Sequence, residues 1–224
     1  MDMAIADPRV YLADLVGVMK THWPANRTVN IVCHGHSVPS GYFATPMVDT
    51  FNSYPHLLHV ALKQRFPFGV INVIVEAIGG EGSPAGAARF EEQVLCHRPD
   101  VVTIDYSLND RGTGLPGARA AWQQMIDLAS RHKTRLILLT PTPDNTQQIG
   151  ADPAARDTLR AHARQVRELA DLNNTGLVDS LKQFERQVAA GTPLENLMSW
   201  QNHPNRAGHD LVAAELLRYF PADI

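Results

Sequence analysis

The fold of this chain is decided by an apolar stretch near its middle, VVTIDY at residues 101–106, which runs directly into SLND at residues 107–110. The first part is β-rich and nearly continuously apolar, as expected of a strand covered on both faces in a parallel sheet. The runs at 70–75 and 135–140 have the same character. Two shorter β-rich runs lie at 29–33 and 176–178.

Amphipathic patterns between these runs predict helices. Asp7 followed by Pro8 predicts a helix start, and Asn205 is placed to cap the last helix. Longer apolar stripes occupy 118–129 and 159–170. Strands that alternate with helices predict an α/β fold, in which a five-stranded parallel sheet carries helices on both faces. We expect one domain over residues 1–224, because no linker, repeat or low-complexity tract interrupts the pattern.

Composition restricts the class of protein. Of the 224 residues, 44% are hydrophobic and 19% are charged, which is ordinary for a globular chain. The net charge of −3 gives no long-range attraction to nucleic acid or anionic membranes. No stretch approaches the roughly 20 apolar residues of a membrane span. We therefore expect neither a nucleic-acid partner nor a membrane span.

Cysteine usage and the first residues bear on the cellular compartment. Cys33 lies in a predicted strand and Cys96 in a predicted helix, and we expect two buried free thiols rather than a disulfide. Residues 1–19 lack the basic start and apolar run of a signal peptide. Both observations favour a cytoplasmic protein.

The first predicted strand leads into Gly35-His36-Ser37. In an open parallel sheet ligands bind outside the carboxyl ends of the strands, so a serine in a tight turn there exposes its hydroxyl at the expected site. A serine becomes a nucleophile when a base takes its proton. The motif alone also fits an ordinary Ser/Gly turn, and Ser40 is a rival nucleophile further from the strand end.

Groups suited to binding an oxyanion follow the next two strands. The loop 78–82 contains three glycines, which let backbone amides approach a developing negative charge. The same loop is a loose match to a dinucleotide-binding turn. After the third strand, Asn109 offers a side-chain N–H, and Asp110 is suited to accept backbone N–H groups and hold the turn. A plain Asx turn is the alternative for this pair.

A histidine suited to act as a base precedes the last helix, in His203-Pro204-Asn205. Pro204 stiffens the loop and Asn205 caps the helix, so the backbone at His203 is held in place and its imidazole has a fixed position. An exposed loop histidine is the alternative interpretation of His203. His209 is an alternative base, but it falls within the helical pattern.

A metal site is an alternative interpretation of His34 and His36, whose spacing suits two zinc ligands. No carboxylate or cysteine has a matching spacing with them. We therefore expect no metal and no other cofactor.

Taken together and in this order, the motifs resemble the SGNH, or GDSL-like, hydrolase superfamily. The resemblance runs from about residue 29 to about residue 217 and implies a flavodoxin-like, three-layer α/β/α fold. It also implies a serine hydrolase acting on carboxylic esters, since the family includes esterases, lipases, thioesterases and carbohydrate deacetylases. The signature positions match the nucleophile Ser37, the oxyanion residues Gly80 and Asn109, and the base His203.

Three positions depart from the family pattern. His36 stands where the family has the acid of Gly-Asp-Ser, so an imidazole lies beside the nucleophile. Ser107 replaces a glycine before the asparagine. Trp200 stands where the acid of Asp-x-x-His is usual.

The missing acid predicts a Ser37–His203 dyad instead of a triad. We expect a backbone carbonyl from residue 199, 200 or 201 to orient the imidazole, with Glu195 as the alternative if the loop folds back. Loss of the acid from a triad lowers the rate by large factors but leaves catalysis.

The sequence thus predicts an esterase that forms an acyl-enzyme on Ser37, with His203 as base. The amides of Ser37 and Gly80 and the side chain of Asn109 form the expected oxyanion hole. The expected substrate is a small-molecule or glycan ester, above all a carbohydrate O-acetyl group, because no long apolar stripe suggests a lipid surface. The residues expected to support this machinery are Asp110, Trp200 and His36.

Other functions remain open on the sequence alone. A thioesterase or an acyltransferase of the same fold fits the same motifs. A catalytically weakened relative that binds a glycan or acyl ligand is favoured by Trp200. A nucleotide-binding flavodoxin-like protein is the third alternative.

Several segments are candidates to shape a substrate pocket. Tyr42, Phe43 and Tyr106 are candidate pocket walls, with core packing as the alternative for each. The polar, proline-containing segment 141–153 follows the fourth strand and is a candidate substrate-facing lid.

Overall fold

The computed structural model describes residues 4–145 and 152–222. Within these residues, five parallel strands form a sheet in the order β2-β1-β3-β4-β5. The strands are β1 Thr28–Gly35, β2 Val70–Ala77, β3 Val101–Asp105, β4 Arg135–Leu139 and β5 Gly176–Val178. Each predicted β-rich run is a strand, which confirms the predicted α/β fold and its parallel sheet.

Helices form a layer on each face of the sheet, as predicted. Short turns of 3-10 or π helix supplement them at Thr50–Asn52, Phe90–Val94, Leu95–His97, Asn109–Gly112 and Leu194–Leu197. The α-helices are α1 Ala13–Lys20, α2 Ser37–Ser40, α3 Tyr54–Arg65, α4 Ser83–Arg89, α5 Leu115–Arg131, α6 Pro153–Asn173, α7 Ser180–Ala189 and α8 Arg206–Leu217.

The sheet packs an apolar core on each face. Ile31 and Cys33 of β1 pack on one side with α1, α3, α7 and α8. Val32 of β1 and Ile104 of β3 pack on the other side with α4, α5 and α6. β3 is buried at every position, which explains its apolar sequence. The flavodoxin-like, three-layer architecture is therefore confirmed.

β2 differs from the expectation that it is covered on both faces. It lies at the edge of the sheet, paired only with β1 among the described strands. Val70 and Val75 are exposed, whereas Ile71 is buried. The apolar sequence of β2 is typical of an interior strand, although β2 lies at the edge of the sheet and is partly exposed.

The first helix begins later than predicted. α1 begins at Ala13, and residues 8–12 form turns. The Asp7 carboxylate accepts a hydrogen bond from the backbone N–H of Arg9 and forms an ion pair with its guanidinium. Asp7 therefore closes a local turn and does not cap a helix. By contrast, Asn205 caps α8 as predicted, accepting a bond of 3.2 Å from the N–H of Gly208.

Both cysteines are free thiols, as expected. Cys33 is buried, but the prediction that Cys96 is also buried is wrong, because it lies exposed in the 3-10 turn Leu95–His97. Separately, none of the helices that the structure describes combines the length and apolar character needed to cross a bilayer.

The strand order reverses between β1 and β3, and this reversal creates the crevice of the fold. β1 pairs with β2 on one side and with β3 on the other. Ligands of open parallel sheets bind in such a crevice, outside the carboxyl ends of the strands. Gly35 and Asp105 are register partners at these ends. The residues that follow them, Ser37 among them, therefore lie at the crevice.

Asp110 fixes the segment that follows β3. Its carboxylate is fully buried and accepts hydrogen bonds from the backbone N–H of Ser83 and from Nε1–H of Trp122, each at 2.7 Å. Ser83 begins α4 and Trp122 lies in α5. One carboxylate thus joins the loop after β2, the turn after β3 and a packed helix.

Two buried histidines are neutral in the folded protein. Burial lowers the pKa of His34 to about 4, and its Nδ1 lies 3.0 Å from the carbonyl oxygen of Glu76. Burial lowers the pKa of His209 to about 3, and its Nδ1 accepts a bond of 3.1 Å from the N–H of Tyr54. In the unfolded chain both imidazoles regain the ordinary pKa of 6.5.

We predict that the protein loses stability as the pH falls below 6.5, with the loss continuing to about 4 for His34 and about 3 for His209. In this range the unfolded chain binds protons that the folded protein does not, so acid favours unfolding. Each histidine reduces the free energy of unfolding by about 1.4 kcal/mol per pH unit. Urea unfolding at several pH values measures the slope.

Matched variants isolate the contribution of one ring. His209→Asn keeps an acceptor for the Tyr54 N–H but does not titrate, so its unfolding free energy should fall less steeply with acid. His22→Asn changes an exposed ring and should keep the wild-type slope. Equal slopes for wild type and His209→Asn would contradict the neutral, buried state of His209.

Candidate active site

Ser37 and His203 meet although 166 residues separate them. Ser37 begins α2 directly after β1, and His203 lies in the loop before α8. The Oγ of Ser37 and the Nε2 of His203 are 2.9 Å apart, and both side chains are buried. This distance is the one that a serine nucleophile and its base require.

The backbone carbonyl of Phe43 orients the His203 ring. Its oxygen lies 2.8 Å from Nδ1. Because a carbonyl only accepts hydrogen bonds, Nδ1 carries the proton and Nε2 presents its lone pair to the Ser37 hydroxyl. Burial lowers the pKa of His203 below 6.5, and the bond to Phe43 offsets part of that effect. The imidazole is therefore neutral and accepting at neutral pH.

The prediction of an orienting carbonyl is right in kind but wrong in position. The loop at 199–201 turns toward the main chain of His203, where the N–H groups of Ser199 and Trp200 donate to its carbonyl at 2.9 and 3.3 Å. Glu195, the alternative, is exposed in the turn Leu194–Leu197. The Phe43 carbonyl gives no sequence signal, because any residue supplies one.

Trp200 lies at the surface beside the site, with 51% of its area exposed. Its main chain supports the His203 backbone, and its side chain lines a cavity of about 360 Å³. Asp144, Asn145 and Glu195 are also in the lining. Trp200 therefore contributes to the surroundings of the site and does not replace the acid of a triad.

The Ser37 hydroxyl has a second imidazole beside it. The Nδ1 of His36 lies 3.3 Å from Ser37 Oγ and accepts a bond of the same length from the Val38 N–H, which caps α2. The opposite nitrogen, Nε2, lies 3.4 Å from Oδ1 of Asp105. The position of His36 beside the nucleophile is as predicted, whereas the role of Asp105 beside His36 is not predicted from the sequence. Asp105 pairs in register with Gly35, and this pairing, which brings Asp105 to the turn at His36, is set by the sheet and has no signal in the sequence.

The rival residues are engaged elsewhere. The Ser40 hydroxyl donates to the carbonyl of His36 at 2.9 Å. His209 is fully buried, accepts from Tyr54 and stacks on Phe43 with ring centroids 5.2 Å apart. The alternative base thus supports the residue whose carbonyl orients His203.

The loop after β2 reaches the same crevice. The N–H of Ile78 donates to the carbonyl of Gly35 at 3.0 Å. Tyr42 packs against Gly79, where an added Cβ would lie 3.0 Å from the ring, and its own ring centroid is 6.0 Å from that of His203. Gly80 adopts a φ of +79°, which favours glycine. This loop therefore lies next to the His203 side of the site.

Asn109 is joined to this loop. Its Nδ2 donates to the carbonyl of Glu81 at 2.9 Å. A carboxamide nitrogen carries two hydrogens, so a second N–H is left for another acceptor. The N–H of Ser37 lies in the first turn of α2, where helix N–H groups lack intrahelical acceptors. These groups are the N–H donors that the arrangement offers to an oxyanion.

Of the three predicted pocket walls, Tyr42 is half-buried at the site, whereas Tyr106 and Phe43 are buried. Tyr106 donates to Oε2 of Glu81 at 2.7 Å, and Arg89 forms an ion pair with the same carboxylate. Tyr106 therefore supports the loop after β2 through its hydrogen bond to Glu81. The predicted lid at 141–153 lies partly outside the described residues, which omit 146–151.

The described residues give no support to the metal-site interpretation of His34 and His36. Across 4–145 and 152–222, no three His, Cys, Asp or Glu side chains are grouped so as to hold a metal ion. The ring nitrogens of His34 face the carbonyls of Glu76 and Gly86, whereas His36 faces Ser37 and Asp105. The two rings thus have separate partners.

Comparisons with known proteins find esterases that are similar to this chain in sequence and fold. An acetylxylan esterase from Geobacillus stearothermophilus is 26% identical over 168 residues, covering 70% of this chain and 75% of that protein. A crystal structure of an acetylxylan esterase from that organism has a TM-score of 0.72 at 25% identity, covering 86% of this chain and 94% of its own. A catalytic mutant of that esterase, with an aspartate changed to alanine, has a TM-score of 0.74 at 23% identity, covering 90% and 96%.

The family comparison covers most of the molecule. Residues 33–211 match the GDSL-like lipase/acylhydrolase family. The matched region extends from the end of β1, through the crevice, to α8. The chain therefore belongs to the GDSL-like lipase/acylhydrolase family and is a hydrolase of carboxylic esters.

Proposed function

We propose that this protein removes short acyl groups, above all acetyl groups, from carbohydrates through an acyl-enzyme on Ser37. The observation that supports it most is the 2.9 Å contact between Ser37 Oγ and an unprotonated Nε2 of His203. A serine hydroxyl is a weak nucleophile without such a base.

The proposed reaction begins when His203 Nε2 takes the Ser37 proton while Oγ bonds to the ester carbonyl carbon. The tetrahedral intermediate collapses as the carbonyl re-forms, the bond to the alcohol breaks and the imidazolium protonates the leaving oxygen. A water molecule then gives a proton to Nε2 while its oxygen bonds to the acyl carbon. As this second intermediate collapses, the bond to Oγ breaks and the imidazolium returns the proton to Oγ, which releases the acid and restores Ser37. The Phe43 carbonyl keeps the accepting nitrogen directed at the hydroxyl throughout.

The oxyanion of each intermediate is proposed to bind the N–H groups of Ser37 and Gly80 and the free N–H of Asn109. Fixed donors stabilise charge that develops in the transition state without reorganising. The Asn109–Glu81 bond and the Asp110 carboxylate hold the donors in place before substrate arrives.

The substrate class is proposed from the relatives and from the cavity that Trp200 lines. The curated relative is named an acetylxylan esterase. The cavity of about 360 Å³ combines the indole of Trp200 with carboxylate and amide groups. An aromatic face with a few polar groups suits a sugar ring, which presents both C–H and O–H groups. We place the sugar of the substrate in this cavity.

Removal of the nucleophile or of an oxyanion donor should lower the rate of ester hydrolysis. Ser37→Ala should reduce hydrolysis of p-nitrophenyl acetate to the uncatalysed rate, and activity of the wild type should fall from acetate to butyrate to octanoate. Asn109→Ala should lower kcat by about 100-fold, because one oxyanion donor is lost. Initial rates measured by p-nitrophenolate absorbance check all three statements.

The rival serine supplies the control. Ser40→Ala should keep the wild-type rate, because its hydroxyl bonds a backbone carbonyl. Activity that survives in Ser37→Ala would exclude Ser37 as nucleophile. A wild type no faster than Ser37→Ala, on this ester and on acetylated xylo-oligosaccharides, would favour the weakened, ligand-binding alternative.

The activity should depend on pH through the protonation of His203. His203 must be neutral to take a proton, so kcat/KM should rise with pH and reach half its plateau below pH 6.5, because burial lowers the pKa of His203. The rate of Ser37→Ala, subtracted at each pH, removes uncatalysed hydrolysis. A midpoint above 6.5 would contradict the neutral base.

Trp200 should contribute mainly to the binding of a substrate that carries a sugar. Trp200→Ala should raise KM for an acetylated xylo-oligosaccharide by about 10-fold, which corresponds to about 1.4 kcal/mol of lost binding. The rise should be much smaller with p-nitrophenyl acetate, which has no sugar. Trp23→Ala removes another exposed indole, before β1, and is the matched control. If Trp200→Ala raised KM equally for both substrates, the proposal that the sugar binds in this cavity would be wrong.

A further inference from the structure

The Ser37 hydroxyl stands between two imidazoles. His203 Nε2 is 2.9 Å from Oγ, and Nδ1 of His36, the residue directly before Ser37, is 3.3 Å from it. The proposed reaction uses only the first of these rings. The second lies beside a carboxylate, whereas no described carboxylate lies within ion-pair distance of the first.

That carboxylate belongs to Asp105. Its Oδ1 lies 3.4 Å from His36 Nε2, and the two residues are 2% and 1% exposed. At this separation the two atoms are within ion-pair distance, and neither forms a hydrogen bond in the part of the chain that the structure describes. A buried carboxylate is costly unless a partner compensates its charge. His36 is the neighbour positioned to do so.

The other groups around Asp105 do not supply a positive charge. The Tyr54 hydroxyl lies 3.5 Å from Oδ2, and Cys33 is also close enough to interact. Burial raises the pKa of the Cys33 thiol to about 12 and raises that of the Tyr54 hydroxyl, so both stay neutral. The imidazole of His36 is thus the adjoining group that can become cationic.

The tautomer of His36 follows from its contacts. The Val38 N–H donates to Nδ1, so Nδ1 carries a lone pair and the ring proton resides on Nε2, facing Asp105. The order is carboxylate, imidazole, hydroxyl. This is the order of a serine triad with the two ring nitrogens exchanged.

We propose that His36 is a second proton acceptor for Ser37, supported by Asp105. The proposal rests on Ser37 being the nucleophile. The Oγ–H bond breaks, its proton passes to His36 Nδ1, and Oγ bonds to the ester carbon while the carbonyl electron pair moves to the oxyanion. When the intermediate collapses, the bond to the alcohol breaks and the imidazolium returns the proton to the leaving oxygen.

Each ring has one advantage. His203 is nearer to Oγ, but its hydrogen-bond partners among the described residues are the Ser37 hydroxyl and the Phe43 carbonyl, neither of which is charged. His36 is further away and must release the Val38 N–H, but its imidazolium is paired with a carboxylate. The His203 loop lacks the usual triad acid, and in this site a different acid, Asp105, supports the ring of His36.

The test removes the two rings separately and together. His36→Asn keeps a side-chain acceptor for the Val38 N–H, and asparagine is a favoured N-cap residue, but it cannot take the proton. On p-nitrophenyl acetate, His203→Ala should stay about 10-fold or more above Ser37→Ala, and the double variant should fall to the Ser37→Ala level. His36→Asn alone should lower kcat by about 3-fold to 10-fold with little change in KM.

Asp105→Asn tests the positioning role. An amide facing Nε2 favours the tautomer with the proton on Nδ1, which cannot accept from Ser37. In the His203→Ala background this change should lower kcat as His36→Asn does, with KM unchanged. Thermal unfolding verifies that each variant is folded, and Ser40→Ala in the same background should keep the residual rate.

The outcomes separate this inference from the proposed function. If Ser37→Ala and His203→Ala are equally inactive, the Ser37–His203 dyad stands and the second acceptor is excluded. A residual rate in His203→Ala that His36→Asn leaves unchanged excludes it as well. If Ser37→Ala retains activity, both proposals fail.

Discussion

The close approach of Gly35 and Asp105 is the constraint on which the site depends. An added Cβ at Gly35 would lie 2.5 Å from the Asp105 carbonyl oxygen and 2.8 Å from the Pro39 ring. Only glycine permits this approach, and it is the parallel register of β1 and β3 that demands it. The N–H of His36 donates to the same carbonyl at 3.3 Å. The direction in which α2 leaves the sheet, and hence the position of the nucleophile, follows from this contact.

The rest of the site is assembled by short tethers from distant parts of the chain. Gly35 accepts from Ile78, which holds the glycine-rich loop, while Asn109 and Asp110 hold that loop from the side of β3. His203 is held by a main-chain carbonyl. Each tether is a hydrogen bond between elements that the apolar cores have already fixed. Packing of the apolar cores therefore fixes the positions of the strands and helices, and the hydrogen bonds then fix the positions of the site residues.

Much of the fold and site was predictable because both follow from patterns of side-chain type. The apolar runs predict the strands. Because the carboxyl ends of parallel strands lie at the same edge of the sheet, the sequence also predicts that Ser37 and Asn109 share one crevice. Two features lacked such a signal. The Phe43 carbonyl depends on the path of the backbone, which bends at Gly41 with a φ of +88°. Asp105 sits in an apolar strand, where its partner is set by register.

The other differences have the same origin. Cys96 was expected to be buried, but its turn ends an irregular helix that the periodicity does not describe. Asp7 was expected to cap a helix, but the arginine two residues later offers a nearer partner. Local propensity is a weak guide where a competing contact lies within a few residues. Errors of this kind fall outside the crevice, so the predicted site did not depend on them.

The Phe43 carbonyl has a consequence for protein engineering. A group that acts through its main chain is conserved under every side-chain substitution that leaves the backbone path intact. Alanine scanning would therefore overlook it, and a library built on side-chain diversity would never sample its loss. Backbone chemistry is needed to probe it, such as replacement of the amide that follows residue 43 by an ester, which weakens the carbonyl as an acceptor. The base of this enzyme is thus tuned by a group that ordinary mutagenesis does not reach.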